Sequence, residues 1–177
     1  DKEFINLAIL SLKIGFKTIL VLESPRELDL ITEVSEELNV RPLLGIRVKL
    51  TNKVSGNWSQ SSGDRSAFGM SVEQVMKVIT KLKVKNYLDC LVLQHSHLGS
   101  QIPDIIEIRK ATQEACRFYS EMCKQGAPLE YLDLGGGLGV DYTGEQKSSL
   151  NSINYSLDEY CINIVETVKY ELDQSNI

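Results

Sequence analysis

Two short segments gather the residues best able to do chemistry. Gln94-His95-Ser96-His97-Leu98-Gly99-Ser100-Gln101 contains both histidines of the chain. On an extended strand, residues two apart point the same way, so both rings would face one pocket. Such a pair also occurs in metal sites. Here no Cys or carboxylate cluster follows to complete a ligand set, and the pattern does not support a metal. The second segment is Gly135-Gly136-Gly137-Leu138-Gly139-Val140-Asp141. Glycines directly after an apolar strand let backbone amides converge on an anion with no side chain in the way, and phosphate is the natural guest. The spacing is G-G-G-x-G rather than G-x-G-x-x-G, and no acidic residue stands where a ribose would need one. Both points weigh against a nicotinamide oxidoreductase. Taken alone, the histidines serve equally as hydrogen-bonded residues at a strand end, and the glycines as a tight turn that needs positive φ. A third, polar stretch from Leu50 to about Met70 carries Trp58, the one tryptophan, with Arg65, Ala67 and Phe68-Gly69. A loop of that length inside a compact domain is usually functional or disordered.

The elements that must carry these segments are legible from periodicity. Phe4, Leu7, Ala8, Leu10 and Ile14 recur at helical spacing until Gly15, and Thr18–Leu22 is a continuous apolar run that reads as a strand buried on both faces. Ser24-Pro25-Arg26-Glu27 has the form of a capping box, with Leu28, Ile31, Val34 and Leu38 behind it. The pattern repeats. Ser71 and Gln74 open a helix with Val75, Met76, Ile79 and Leu82 on its face. Ile105, Ile108, Thr112, Ala115 and Tyr119 mark a long helix, and Ser156 and Glu159 open a last one with Tyr160, Val165, Val168 and Leu172. Strands are expected near 18–22, 43–49, 88–94 and 130–134, which gives α-β-α-β-α-β-α-β-α. Strands alternating with amphipathic helices form a parallel sheet. That leaves an open doubly wound sheet or a partial (β/α)8 TIM-type barrel of about four strands. A whole barrel takes about 250 residues. In either case chemistry gathers beyond the carboxyl ends of the strands, where the polar segments fall.

A net charge of -5 argues against nucleic acid, which demands clustered Lys and Arg. No apolar run approaches a membrane span, and the start has no signal-peptide pattern. Cys90, Cys116, Cys123 and Cys161 form no C-x-x-C pair, which fits a reduced, cytoplasmic protein. The chain opens at Asp1, inside a helical pattern and without Met, and reads as a piece of something longer.

Together the motifs resemble the biosynthetic arginine decarboxylases of the alanine-racemase-like barrel group. The resemblance rests on Arg41–Arg47, the Trp58 loop, His95–Gln101, Leu132–Tyr142, Asn154-Tyr155 and Glu159-Tyr160, and it spans nearly the whole chain. It implies a pyridoxal phosphate cofactor, arginine as the small-molecule substrate, agmatine and carbon dioxide as products, a place in polyamine and spermidine biosynthesis, and a homo-oligomeric parent enzyme. Magnesium finds no support in the residues. By the same resemblance His97 is the catalytic histidine that stacks on the pyridine ring. Gly135, Gly136 and Gly137 cradle the phosphate, Ser100 lies near it, and Arg47 is a charge partner on an inner strand. The resemblance further implies that residues 1–177 are one partial domain, the central section of the barrel. The Schiff-base lysine would lie upstream of Asp1, the acidic partner of the ring nitrogen beyond Ile177, and a β-rich C-terminal domain would follow. Lys17 precedes its strand and is placed at the wrong rim. Ala67 and Ser96 depart from the family's usual Lys and aromatic. Ornithine or diaminopimelate decarboxylases of the same group, or a barrel relative without catalysis, are the alternatives.

Overall fold

Capping chemistry sets where the helices begin. Ser71 accepts from the Gln74 amide while the Gln74 side chain reaches back, which starts α3 (Val72–Lys85), and Ser156 and Glu159 do the same for α5 (Leu157–Ser175). The expected box at Ser24 forms only in part. The Glu27 carboxylate accepts from the Glu23 and Ser24 amides at 2.7 and 3.0 Å, but α2 (Glu27–Leu38) has no side-chain cap at its Arg26 N-cap. Asparagines close these three helices in the left-handed conformation, at Asn39, Asn86 and Asn176. The remaining elements are α1 (Lys2–Lys13), β1 (Ile19–Leu22), β2 (Leu43–Val48), β3 (Leu91–His97), α4 (Ile105–Lys124) and β4 (Tyr131–Gly135). The structure is a computed structural model and describes residues 1–51 and 68–177. The Trp58, Arg65 and Ala67 expectations therefore lie outside the described residues.

The four strands are parallel and lie in the order β1-β2-β3-β4, with Leu22 paired to Ile46. Consecutive parallel strands joined by right-handed crossovers put every connecting helix on one face of the sheet. A doubly wound sheet would reverse its order in the middle. The order is thus that of a section of a (β/α)8 barrel.

The chain forms two compact units, one of Asp1–Val48, Phe68–His95 and Met122–Asp133, the other of 49–51, Ser96–Glu121 and Leu134–Ile177. In the first unit the strands alternate. Leu20, Leu22, Leu44 and Ile46 are buried beneath the helices, with Leu28, Ile31, Val34, Val78, Ile79 and Leu82 among the residues that cover them. The intervening side chains look the other way, and Val21 is 39% exposed. This corrects the expectation that the Thr18–Leu22 strand is buried on both faces: Leu20 and Leu22 are buried, while Val21 between them is exposed. In α3 the buried position is Val78 rather than Met76, which is exposed. In α1 the buried residues are Ile5, Ala8 and Ile9, while Phe4, Leu7, Leu10 and Ile14 are exposed. In the second unit Ile108, Ala111, Thr112 and Ala115 of α4 are buried, and burial pushes the Cys116 thiol up to about 11, out of the range of a working nucleophile. In α5 the expected face is only partly covered, and Val165 is exposed.

The third strand begins three residues later than expected. Leu88–Cys90 closes instead as a 3₁₀ turn, with the Cys90 amide bonded to Tyr87 O at 3.0 Å and Arg41 paired with Asp89. The strand consequently runs through both histidines and ends at His97.

On the inner face Gly45 lies between Val21 and Leu93. A Cβ there would stand 2.8 Å from Leu93 Cδ2 and 3.1 Å from Val21 Cγ2. Gly45→Val in the full-length protein should lower stability by about 1–3 kcal/mol through overpacking, read by denaturant unfolding. Unchanged stability would mean that this layer is not packed.

Candidate active site

The carboxyl ends of the strands in the first unit carry a row of ionisable groups. Glu23 is the residue after β1, and its Oε1 lies 2.6 Å from Nη1 of Arg47 on β2. The guanidinium also lies 5.2 Å over the Phe68 ring, and the Arg47 carbonyl accepts from the Met70 amide at 2.8 Å. Two residues further along from the Gly45–Leu93 contact, the register brings His95 beside Arg47. His95 Nδ1 is in turn 2.9 Å from Asp133 Oδ2 on β4, close enough for an ion pair but out of line for a hydrogen bond. These groups share a face because residues two apart on a strand do. The opposite rim is different: Lys17, before β1, meets Tyr131 at the start of β4, with its Nζ 4.7 Å over the ring and 3.7 Å from Glu130. That is the amino-terminal end of the strands, as expected.

In the second unit the glycine segment and the histidine segment are laced together by their backbones. The Leu98 amide donates to Gly135 O at 2.8 Å, the Gly137 amide to Gly99 O at 2.8 Å, and the Ile102 amide to Gly137 O at 3.1 Å. Gly136 and Gly137 take φ of 75° and 87°, where a side chain is strained. At Gly136 space forbids one as well: a Cβ would collide with Gly99 O and stand 2.6 Å from His97 Cε1. His97, exposed at the end of β3, therefore lays its ring against the Gly136 backbone. Ser100 is exposed in the turn between Gly99 and Gln101.

Two tyrosines hold this arrangement. The buried Tyr155 hydroxyl accepts from the Gly139 amide at 2.9 Å and donates to Ile102 O at 2.7 Å, and burial raises its pKa. Tyr160 donates to Gly136 O at 2.8 Å. Gln101 brackets Val140 through both the amide and the carbonyl, at 2.8 and 2.7 Å. The amides of Gly137, Gly139 and Val140 are thus used inside the loop. Among the described residues the N–H groups of Gly136 and Leu138 have no partner, whereas that of Gly137 is bonded to Gly99 O.

Sequence reasoning singled out His97, Ser100, Arg47 and Gly135–Gly137. The structure brings His97 and Gly136 together, and it places Arg47 in the first unit with Glu23 and Phe68. Glu23 was missed because the segment after β1 reads as a bare turn. Its signal was its place one residue past a strand whose neighbour carries an inward arginine. No group of three or more His, Cys, Asp or Glu able to hold a metal occurs among the described residues, and no described helix is long and apolar enough to cross a membrane.

Comparison with known proteins bears on what this arrangement does. The sequence profile of the pyridoxal-binding domain of pyridoxal-dependent decarboxylases matches residues 3–172. A protein named biosynthetic arginine decarboxylase from Prochlorococcus marinus is 45% identical over all 177 residues, which span only 27% of its length. A crystal structure of the biosynthetic arginine decarboxylase from Campylobacter jejuni superposes with a TM-score of 0.83 at 31% identity, covering 99% of this chain and 28% of that one. Diaminopimelate decarboxylase from Helicobacter pylori has the same fold, with a TM-score of 0.74 at 23% identity over 96% of this chain and 40% of its own. The chain therefore spans about a quarter of the length of its arginine decarboxylase relatives.

Two outcomes follow from the loop geometry. Gly136→Ala should cost about 1–3 kcal/mol of stability, because it adds backbone strain and a clash with Gly99 O. It should also displace the His97 ring, and unchanged stability would refute the close approach. The second concerns pH. The Ser152 hydroxyl, with the Gly144 and Gln146 amides, holds the Asp141 carboxyl below its ordinary value of 3.8. A lowered folded-state pKa stabilises above that ordinary value and is lost as pH falls through the lower one. Hydrogen exchange across residues 141–152 should therefore speed up, beyond its intrinsic pH dependence, as pH falls below the ordinary carboxyl value of 3.8. Asp141→Asn should abolish that extra change, and an identical profile in the variant would contradict the assignment.

Proposed function

Since the chain belongs to the family of pyridoxal-dependent decarboxylases, as their pyridoxal-binding domain, we propose that a protein carrying it converts L-arginine to agmatine and carbon dioxide with pyridoxal phosphate. The observation that carries this reading is the planar His97 ring set against a glycine that admits no side chain, next to open backbone amides. The choice of arginine is supported by the 45% identity to a relative of that name along the whole chain.

The residues fit the cofactor. The Gly136 and Leu138 N–H groups and the Ser100 hydroxyl are donors suited to a phosphate, and Gly136 has no Cβ in the way. Gly135 and Gly137 shape that cradle, Gly135 by accepting from Leu98 and Gly137 through its bond to Gly99. The His97 ring is a flat face against which a pyridine ring packs and keeps one orientation. Arg47 supplies a fixed guanidinium on the inner face of the sheet. When bound, pyridoxal phosphate provides the ring that takes up the electron pair released as carbon dioxide leaves. Residues 1–177 are, in this reading, the central part of one barrel domain in a cytoplasmic homo-oligomer whose product enters polyamine and spermidine synthesis.

The test is carbon dioxide release from carboxyl-labelled arginine by the full-length protein and by residues 1–177, each with added pyridoxal phosphate. The full-length protein should turn over arginine with kcat/KM at least about 100-fold above ornithine or diaminopimelate, a margin within reach of a site that pairs a substrate's polar group. The isolated chain should show no turnover. Its Lys17 is committed to Tyr131 at the amino-terminal rim, and among the described residues β1 and β4 are the edges of the sheet, which favours association. Preference for ornithine or diaminopimelate would overturn the substrate, and comparable turnover by the isolated chain would overturn the assignment of catalytic parts.

A further inference from the structure

Glu23 has no part in the phosphate cradle or the ring contact, yet its geometry is closely specified. Its amide donates to the Glu27 carboxylate at 2.7 Å, which fixes the backbone at the point where β1 gives way to α2. The pairing of Leu22 with Ile46 then sets Glu23 opposite Arg47, and its carboxylate reaches Nη1 at 2.6 Å. Arg47 is held in two further ways, by the Phe68 ring beneath its guanidinium and by the Met70 amide on its carbonyl. The arginine side chain retains 21% of its exposure and the glutamate 40%, so water screens the pair only in part.

A guanidinium has five N–H donors in a rigid plane. Among the described residues Glu23 is the one carboxylate that Arg47 meets. With one edge on Glu23 and one face on Phe68, the guanidinium is held in a fixed plane. An arginine without such a partner would sample many rotamers there and lose binding energy to ordering.

We propose that Glu23 is a positioning residue that fixes the plane of the Arg47 guanidinium. This deepens, and rests on, the reading of Arg47 as part of the cofactor site. A charged hydrogen bond is about twice as strong as a neutral one. Glu23→Gln therefore keeps the shape but loosens the arginine, because the amide lacks the charge and presents an N–H₂ to another donor if it flips. The Glu23 backbone bond to Glu27 is unaffected.

The experiment is a double-mutant cycle in the full-length protein, with pyridoxal phosphate titrated into apoprotein and binding read by absorbance, alongside kcat and KM for arginine. Glu23→Gln should weaken cofactor binding about 5–20-fold in the wild-type background and less than about 2-fold when combined with Arg47→Met, the non-additivity expected of coupled neighbours. Arg47→Lys should respond to Glu23→Gln by an intermediate factor, since it keeps the charge but not the fork. A Glu23→Gln variant that binds cofactor like wild type, or loses the same factor in both backgrounds, would overturn the positioning role while leaving the Arg47 reading intact. Wild-type binding by Arg47→Met alone would overturn the Arg47 reading, and with it the role of Glu23.

Discussion

Three backbone hydrogen bonds, Leu98 to Gly135, Gly137 to Gly99 and Ile102 to Gly137, bind the segment after β3 to the segment after β4. They bring two main chains so close that residue 136 cannot carry a Cβ. A glycine there is a steric requirement set by Gly99 O and the His97 ring, beyond its tolerance of positive φ. The same closeness decides which amides remain available. Gly137 spends its N–H in the ladder and Gly139 gives its own to Tyr155, so among the described residues the amides of this loop left without a partner are those of Gly136 and Leu138. Tyr155 and Tyr160 then act as struts. Each joins its hydroxyl to loop backbone, so that a glycine-rich stretch with high conformational entropy is held in one shape.

The inner face of the sheet follows from a second constraint, the unbroken strand order. Alternate residues of β1 and β2 lie off the buried core. In the first unit this produces a layer with Val21, Gly45 and Leu93, and beyond it, toward the carboxyl ends, a layer with Glu23, Arg47, His95 and Asp133. The same strands that bury Leu22, Leu44 and Ile46 thus display charges on their reverse. The Arg47 charge in such a layer is tolerable because it is paired with Glu23.

Much of this was legible in the sequence, and the gaps have physical causes. Ser71 and Ser156 announced their helices because a hydroxyl followed by Gln or Glu three residues on satisfies two orphan amides at once. Ser24 carried the same letters, but Glu27 turned its carboxylate to two preceding amides and left Arg26 as the cap. The run from Leu88 looked like a strand, yet Leu88–Cys90 turned as a 3₁₀ element, which delayed β3 and extended it to His97. Burial on both faces was expected from the apolar run in β1, because Val21 belongs to a barrel interior and reads as core by its type alone. Glu23 escaped notice since nothing local distinguishes a carboxylate in a turn from one whose partner lies 24 residues away.

The central claim is that the His97–Gly136 contact and the open amides beside it form a seat for pyridoxal phosphate. A crystal structure of the full-length protein with the cofactor bound tests it most directly. The account predicts phosphate oxygens within about 3 Å of the Gly136 N–H, a normal hydrogen-bond length, and the pyridine ring packed on the face of His97. A phosphate held elsewhere, with the Gly136 amide unbonded and His97 turned away from the ring, would contradict it.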